Sequence, residues 1–415
     1  MPNIAEPAPA GAAPVGDVHP DRWRMLGLLT VAELLGMTLW FAASAVSAQF
    51  TAQWTLSSSD AAWLTTIVQL GFVAGTAISA VLNLADIVPA RLLFACSALV
   101  GAAANAMLLG ADGLSAALAW RFITGLALAG VYPPAMKMIA TWFRARRGLA
   151  VGTIVGALTV GKAMPYLVHA IPGAGITPVV ASASVGAGIA ALLVWFGYRE
   201  GPYPFPARKF SRYLVRDVLR TPAWRLSTGG YLGHMFELYA AWTWLPVFIA
   251  ASIAAHDPAA GARGASVASA IAFAALAIGG AGCIWGGLVG DRRGRAWLVT
   301  RAMAISGICS VLIGFAFGRS LWLLVPIALV WGFFVIADSA QFSVLVTESV
   351  PPHAVGTALT LQTSLGFLLT AVVIQLVPPL AERVGWQWAF AVLSLGPMFG
   401  IASIARLVRR ATGRR

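Results

Sequence analysis

The stretch Gly287-Leu-Val-Gly-Asp-Arg-Arg-Gly-Arg295 places four charged residues in a short turn between two long apolar segments. These segments, near 265–289 and 296–317, are both long enough to cross a bilayer as a helix, which takes about 20 residues. A short cationic connection between two such helices is typical of a cytoplasmic membrane loop. The same alternation of apolar runs and short charged loops extends along the chain and decides its fold.

The composition supports a membrane protein. Of the 415 residues 59% are hydrophobic and 10% are charged, whereas a soluble domain has about 25% charged residues. A soluble enzyme is therefore excluded, and Cys96, Cys283 and Cys309 lie inside apolar runs, which argues against a disulfide scaffold. The net charge of +13 is divided among short loop clusters rather than one helix face, so we expect no nucleic-acid partner.

The polar breaks predict an all-α polytopic protein with twelve transmembrane helices, here called spans 1 to 12. They lie near 25–49, 61–84, 89–110, 114–141, 148–171, 174–197, 225–252, 265–289, 296–317, 321–346, 354–378 and 387–408. Residues 1–23 are rich in Ala, Pro and Gly and predict a disordered cytoplasmic tail without a cleaved signal peptide.

The distribution of arginine predicts the orientation, since cytoplasmic loops carry an excess of Lys and Arg. With both termini inside, the cytoplasmic segments hold Arg22, Arg24, Arg91, Arg144, Arg146, Arg147, the set from Arg199 to Arg225, Arg292, Arg293, Arg295, Arg406, Arg409, Arg410, Arg414 and Arg415. The opposite side holds Arg263, Arg319 and Arg383. Heavy use of Arg and Ala suggests a bacterial genome rich in G and C, and hence a cytoplasmic (inner) membrane.

The longest polar segment, 198–224, falls in the middle of the chain and predicts a cytoplasmic linker. It would separate an N-terminal six-helix bundle, 24–197, from a C-terminal six-helix bundle, 225–408, which is followed by a basic tail, 409–415.

The two halves repeat one another in sequence. Glu33 and Glu237 are 204 residues apart, and each is followed seven positions later by a tryptophan, Trp40 or Trp244. The Ala-Val-Gly-Thr run at 150–153 recurs at 354–357 with the same offset of 204. Asp86 and Asp291 form a third pair, at an offset of 205. Three separated features therefore have nearly the same offset, which favours a duplicated bundle.

In these features the chain resembles the major facilitator superfamily of transporters, whose members have twelve helices in two six-helix halves. The family's loop signature, G-x-L-A-D-R-x-G-R-R, is matched after span 8 by Gly287, Asp291, Arg292, Gly294 and Arg295. The copy after span 2 is degenerate and keeps Asp86 and Arg91, with Pro89 where glycine is usual. A second signature matches Arg121, Gly125 and Gly130 in span 4.

The resemblance implies that these loop residues gate one side of the membrane. A carboxylate that faces an arginine cluster forms charge-assisted hydrogen bonds, which hold one access state closed and break in the other. Alternatively, Asp291 and its arginines only cap helices and enforce topology.

Six ionisable residues fall within the predicted spans, where charge is costly and is a functional hypothesis by default: Glu33, Arg121, Lys137, Lys162, Glu237 and Asp338. The resemblance implies that spans 1, 4, 7 and 10, which carry five of them, line a central cavity. Among the 28 Lys and Arg residues only three are lysine, and Lys137 and Lys162 are two of those. Lysine at these positions predicts an anion site, although Lys137 has the alternative of reaching the nearby membrane surface and Lys162 that of pairing with a protein carboxylate.

The three intramembrane acids predict proton coupling, because a carboxyl group away from water is able to take up and release a proton. Glu237 and Asp338 are stronger candidates for proton coupling than Glu33, since their half lacks a comparably placed cation. The residue that follows Lys137 by 204 positions is Gln341. In the alternative, Glu33 pairs permanently with Lys137 or Arg121 and helps the helices to pack.

Other residues fit a cavity wall or a close helix contact. Candidate wall residues are Trp40, Tyr132, Tyr166, His169, His234, Tyr239, Trp242, Trp244, Gln341 and Gln362. The glycines at 71, 75, 152 and 156 and from 279 to 287 predict close helix contacts. Pro133, Pro134 and Pro246 predict interruptions of spans 4 and 7.

No nucleotide-binding loop, metal-ligand cluster or nucleophile–base set is visible in the sequence, so we expect no cofactor and a gradient as the energy source. The leading interpretation is proton symport of a small organic anion by a monomer in the lipid bilayer. Lys137, Lys162, Arg121, Tyr132, Trp40, Tyr239 and Gln341 would bind the substrate. The alternative is proton-driven efflux of drugs or metabolites, but the G-P-x-x-G-G run of family antiporters is absent from span 5. A receptor or a nitrate carrier fits less well.

Overall fold

A computed structural model describes residues 19–144, 146–203, 212–351 and 353–413. Within them, eleven helices are long and apolar enough to cross a membrane, and they correspond to spans 2 to 12. Span 1 also crosses the bundle but is divided into shorter helices. The predicted fold class is therefore confirmed: the protein is an all-α polytopic membrane protein with twelve transmembrane segments.

The helices have the following bounds. Span 1 comprises Arg22–Met37, Ala42–Ala45 and Ser47–Trp54, span 2 Ser58–Val81, span 3 Ala90–Ala106, span 4 Leu114–Leu128 and Tyr132–Ala140, span 5 Arg147–His169 and span 6 Ile176–Gly197. Span 7 is Pro222–His256, span 8 Gly261–Arg293, span 9 Arg295–Phe315, span 10 Leu321–Ala337 and Ser339–Ser349, span 11 Val355–Val384, and span 12 Trp386–Ala389 with Leu395–Ala411.

Spans 1, 4 and 10 are interrupted near their middles. The breaks fall at residues 38–41, at 129–131 and at Asp338. The predicted interruption of span 4 is present, because Pro133 and Pro134 begin its second helix, where their missing N–H groups cost little. The predicted interruption of span 7 is wrong, since Pro246 lies inside one continuous helix. Membrane helices tolerate proline when neighbouring groups satisfy the freed carbonyl.

The packing of the twelve spans has a twofold pattern. In the N-terminal half, span 1 packs on spans 5 and 6, span 2 on span 4, and span 3 on spans 4 and 6. In the C-terminal half, span 7 packs on spans 11 and 12, span 8 on span 10, and span 9 on spans 10 and 12. The halves meet where span 5 packs on span 8 and span 2 on span 11, and these two contacts are equivalent under the same pseudo-symmetry.

Glycines bring several of these helices to backbone contact. A Cβ atom added at Gly71 or Gly125 would lie 2.2 Å from a carbonyl oxygen across the contact between spans 2 and 4, and one at Gly286 would lie 1.9 Å from the Ala337 carbonyl. The predicted close contacts at Gly152 and Gly287 are wrong, because a Cβ atom there would meet nothing within 4 Å. Both glycines line a cavity instead.

The neighbouring residues Gly286 and Gly287 provide a matched test of this packing. Gly286→Ala is expected to lower thermal stability strongly, because its methyl group would overlap the backbone of span 10. Gly287→Ala is expected to leave stability unchanged or to raise it slightly, since the methyl group enters open space and helix propensity improves. Thermal unfolding of the two detergent-purified variants measures the difference, and equal midpoints would contradict the close approach of spans 8 and 10.

The segment between the halves contains one further helix, Arg212–Arg220. Its Leu214 and Val218 pack with Trp224 against residues of spans 10 and 11, so this helix lies on the C-terminal half. We call the membrane side that carries it the linker side and the opposite side the far side. Residues 1–18 of the predicted tail, 204–211 of the predicted linker and 414–415 of the basic tail lie outside the described residues.

Candidate functional site

A cavity of about 490 Å³ lies between the two halves. At the linker side it is bordered by residues at the ends of spans 5, 8 and 10, which include Gly148, Asp291 and Thr347. Its inner end, at mid-membrane, is bordered by Trp40, Phe72, Lys162, Tyr239 and Phe367. Spans from both halves therefore build one chamber that opens on the linker side.

Aromatic rings form the inner end of the cavity. Phe72 and Phe367 lie 4.7 Å apart between ring centroids, and the Trp40 ring lies 5.2 Å from Phe72 and 5.6 Å from Phe367. Tyr239 is 5.7 Å from Trp40 and 5.2 Å from Phe367. Two of these rings come from each half, so the cluster joins the two bundles across the cavity.

Lys162 of span 5 points its ammonium group into this cluster. Its Nζ lies 4.0 Å from the centroid of the Trp40 ring and 4.8 Å from that of Tyr239, and it donates a hydrogen bond to the Tyr239 hydroxyl. The side chain is 2% exposed and lines the cavity. Among the described residues that line the cavity, the cations are Lys162 at the inner end and Arg295 at the mouth.

Glu33 of span 1 lies beside this site. It is fully buried, and neither carboxylate oxygen has a hydrogen-bond partner among the described residues. It lies within electrostatic range of Lys162 and Tyr132, so the three side chains are near one another. A buried carboxylate without hydrogen bonds is costly unless a proton or a cation offsets it, and here the neighbouring cation is Lys162.

Arg121 does not belong to the cavity. Its guanidinium donates to the carbonyls of Leu39, Trp40 and Leu64 and to the Asn105 side chain, and it does not line the chamber. It therefore holds the break in span 1, where helical N–H groups do not reach the carbonyls of Leu39 and Trp40. Its predicted substrate contact is wrong, and so is its alternative pairing with Glu33, because other acceptors occupy the guanidinium.

The remaining candidates divide into lining and non-lining residues. Tyr132 and Gln341 line the cavity, as do Trp40 and Tyr239. Lys137 is half-buried near the linker end of span 4 and is not part of the lining, so its predicted substrate contact is not supported. Six other wall candidates also lie outside the lining: Tyr166, His169, His234, Trp242, Trp244 and Gln362.

The two acids of the C-terminal half are enclosed within their own bundle. Glu237 accepts hydrogen bonds from the Trp331 indole at 2.7 Å and the Ser306 hydroxyl at 2.8 Å. An oxygen of Asp338 lies 2.9 Å from Nδ1 of His234. Neither acid lines the cavity, so the expected meeting of Lys162, Glu237 and Asp338 in one chamber is wrong. The expectation that this half lacks a comparably placed cation did not consider His234, which lies beside Asp338.

The loop-signature residues stand at the mouth of the cavity. Asp291 is 68% exposed, and its carboxylate lies 3.9 Å from Arg295, which also forms a 2.8 Å ion pair with Glu348 of span 10. Arg292 and Arg91 are exposed, Gly294 joins spans 8 and 9 with a φ of 91°, and the Asp86 side chain lies outside the described residues. Both ion pairs lie within the C-terminal half. They do not join the two halves across the mouth, as expected when the linker side is open.

Hydrogen bonds between the halves close the far side. His169 of span 5 bridges Gln49 at 2.6 Å and Ser269 of span 8 at 2.7 Å. Gln375 of span 11 donates to Thr66 of span 2 at 3.1 Å. Four of these residues were not predicted from the sequence: Gln49, Thr66, Ser269 and Gln375. The 204-residue repeat contains a signal for two of them, since Ser269 lies within one position of the equivalent of Thr66.

Comparison with known proteins agrees with this architecture. The sequence model of the Major Facilitator Superfamily matches residues 28–374. No curated protein matches the chain. The structure is similar to that of a variant of the nucleoside transporter NupG, with a TM-score of 0.73, 15% identity and coverage of 92% of this chain and 99% of that one.

Two structures of a bacterial homologue of the human lysosomal transporter Spinster are similar as well, each with 16% identity. The inward-facing unoccupied form has a TM-score of 0.68 and covers 94% of this chain and 95% of that one. The inward-facing occupied form has a TM-score of 0.70, with 94% and 97% covered. At these identities the likeness shows the fold alone.

The fold and the cavity define a membrane transporter rather than an enzyme. With the family match over residues 28–374, the chain belongs to the major facilitator superfamily.

Proposed function

We propose that the protein is a secondary active transporter that carries a small organic anion by alternating access with proton symport. The observation that carries the proposal is the Lys162 ammonium at the inner end of the cavity, where the other described lining residues are aromatic or neutral. Lys162 and Glu33 form no hydrogen bond with each other among the described residues, so the ammonium keeps N–H groups that are able to bind an anionic ligand.

Glu33 is the proposed proton site. Neither of its oxygens has a hydrogen-bond partner, whereas Glu237 has two donors and an oxygen of Asp338 lies 2.9 Å from Nδ1 of His234. When an anion binds Lys162, the ammonium no longer offsets the Glu33 charge, so binding the anion favours protonation of Glu33. Because of this coupling, the anion and the proton are carried together. The sequence favoured Glu237 and Asp338 over Glu33 as the proton site, and the present proposal places Glu33 first.

The linker side is proposed to be cytoplasmic. It carries the arginines of the loops after spans 4 and 8 and the linker helix, in accord with the positive-inside rule. The cavity is then open inward and closed outward by the contacts of His169 and Gln375. The similar Spinster homologue structures are inward-facing too. In the transport cycle, the bundles 24–197 and 225–408 would rock against each other to open the far side.

Transport by proteoliposomes tests the function directly. Purified protein in sealed vesicles receives an imposed proton gradient and a panel of radiolabelled carboxylates, sulfonates and cyanate. Symport requires accumulation of an anion when the vesicle interior is alkaline, and collapse of accumulation with a protonophore. Loss of preloaded solute under an inward proton gradient would instead identify efflux by exchange.

Glu33→Gln is expected to lower gradient-driven accumulation at least tenfold while substrate counterflow, which needs no net proton movement, continues. The amide keeps the size of the side chain but cannot carry the proton. Glu237→Gln is the matched control at the equivalent position of the repeat and is expected to retain coupling. If Glu237→Gln uncouples transport and Glu33→Gln does not, the proton site lies in the C-terminal half and this assignment is wrong.

A further inference from the structure

We propose that the transported anion is an aromatic monocarboxylate, held by its carboxylate at Lys162 and by its ring in the aromatic cluster. This inference rests on the proposed function and names the substrate class of the same cavity. Three properties of the inner end support it: unused hydrogen-bond donors, a wall of rings and a single cation.

The donors at the inner end suit one carboxylate. The Lys162 ammonium has three N–H groups, and Tyr239 accepts one of them. Trp40 lines the same cavity, and its indole Nε1 is buried and has no hydrogen-bond partner within the described part of the chain. A carboxylate has two oxygens, so one can accept from Lys162 and the other from the nearby Trp40 indole. A buried donor left without an acceptor costs about 1–3 kcal/mol, which such a ligand removes.

The wall beside these donors suits a flat apolar group. Phe72, Phe367, Trp40 and Tyr239 place their ring centroids 4.7 to 5.7 Å from one another. Aromatic pairs at such distances prefer offset or edge-to-face packing, so another ring can join the cluster. Two rings come from each half, and a bound ring would therefore touch both bundles.

The charge of the site limits the ligand to one anionic group. Among the described lining residues the next cation is Arg295, which stands at the mouth and already pairs with Glu348. A second carboxylate or a phosphate would enter the apolar inner end without a counter-ion, and burying an unpaired charge there is costly. The volume of about 490 Å³ admits an acid with one or two rings.

Binding to the purified protein in detergent tests this class. Isothermal titration calorimetry compares benzoate and indole-3-acetate with acetate, succinate, cyclohexanecarboxylate and benzyl alcohol. The aromatic acids are expected to bind at least tenfold more tightly than each of the others. Phe367→Leu keeps an apolar side chain and is expected to reduce the preference for benzoate over cyclohexanecarboxylate. Trp40→Phe keeps a ring but removes the indole donor, and it is expected to weaken all carboxylates about equally.

The outcomes separate this inference from the proposed function. If acetate, succinate or cyclohexanecarboxylate bind as tightly as benzoate, and Lys162→Ala weakens them, the anion site stands and the aromatic class is overturned. If no carboxylate binds in a Lys162-dependent manner, the proposed function fails as well. Thermal unfolding of each variant verifies that it is folded, and Phe72→Leu, which removes the neighbouring ring of the cluster, replaces Phe367→Leu if that variant is not.

Discussion

Lys162→Ala is expected to weaken anion binding about 10- to 100-fold and to abolish measurable uptake at low substrate concentration. A hydrogen bond to a charged partner contributes about 1.5–3 kcal/mol, and at this position the same group also supplies the local positive charge. The loss should be specific for the anion, because alanine leaves the aromatic cluster in place. Radiolabelled uptake and calorimetric affinity, measured with the same protein preparation, give both effects.

Lys137→Ala is the matched control, since the sequence offered both lysines as anion ligands and the structure keeps Lys137 out of the cavity lining. It is expected to transport like the unmodified protein. Lys162→Arg is expected to restore little activity, because the guanidinium group is larger than the ammonium that is buried between the Trp40 ring and the Tyr239 hydroxyl. Equal loss in the two alanine variants, or full activity in Lys162→Ala, would contradict the anion site.

The sequence was sufficient for the architecture because the signals involved are long. A membrane helix is specified by about 20 apolar residues, and the 204-residue repeat is visible at separated positions. Both signals tolerate local irregularity, so all twelve spans were predicted although spans 1, 4 and 10 are interrupted in the structure. The pairing of spans 5 with 8 and 2 with 11 follows from the same duplication.

The chemistry of individual charges was not predictable in the same way. Glu33 and Glu237 occupy equivalent positions of the repeat, yet Glu237 meets Trp331 and Ser306 whereas Glu33 meets no donor. These differences arise because the hydrogen-bond donors belong to neighbouring spans, which the sequence of one helix does not specify. His234 was overlooked as the neighbour of Asp338 for the same reason.

The role of Arg121 depends on the break in span 1, which the sequence does not predict. The interrupted residues Thr38-Leu39-Trp40-Phe41 contain neither proline nor glycine, the usual causes of a helix break. Without the break, the carbonyls of Leu39 and Trp40 would be bonded within the helix, and Arg121 would have no reason to point at them. The buried cation was therefore interpreted as a substrate ligand.

Arg121→Leu is expected to reduce the yield of folded protein severely, with little or no monodisperse protein after extraction in detergent. Leucine fits an apolar bundle but leaves the carbonyls of Leu39 and Trp40 and the side-chain oxygen of Asn105 without their donor. Each buried polar group that loses its partner costs about 1–3 kcal/mol, and the three together approach the whole stability of an ordinary domain. Fluorescence-detected gel filtration and thermal unfolding measure the loss, with Arg91→Leu at an exposed position as the control.

The same change distinguishes a structural arginine from a substrate ligand. If Arg121 bound the anion, Arg121→Leu would fold normally and fail only in transport, and Arg121→Lys would retain partial binding through its charge. A lysine cannot reproduce four donor contacts in fixed directions, so we expect Arg121→Lys to be unstable as well. A stable but inactive Arg121→Leu protein would indicate that Arg121 binds the substrate and that other contacts hold the break in span 1.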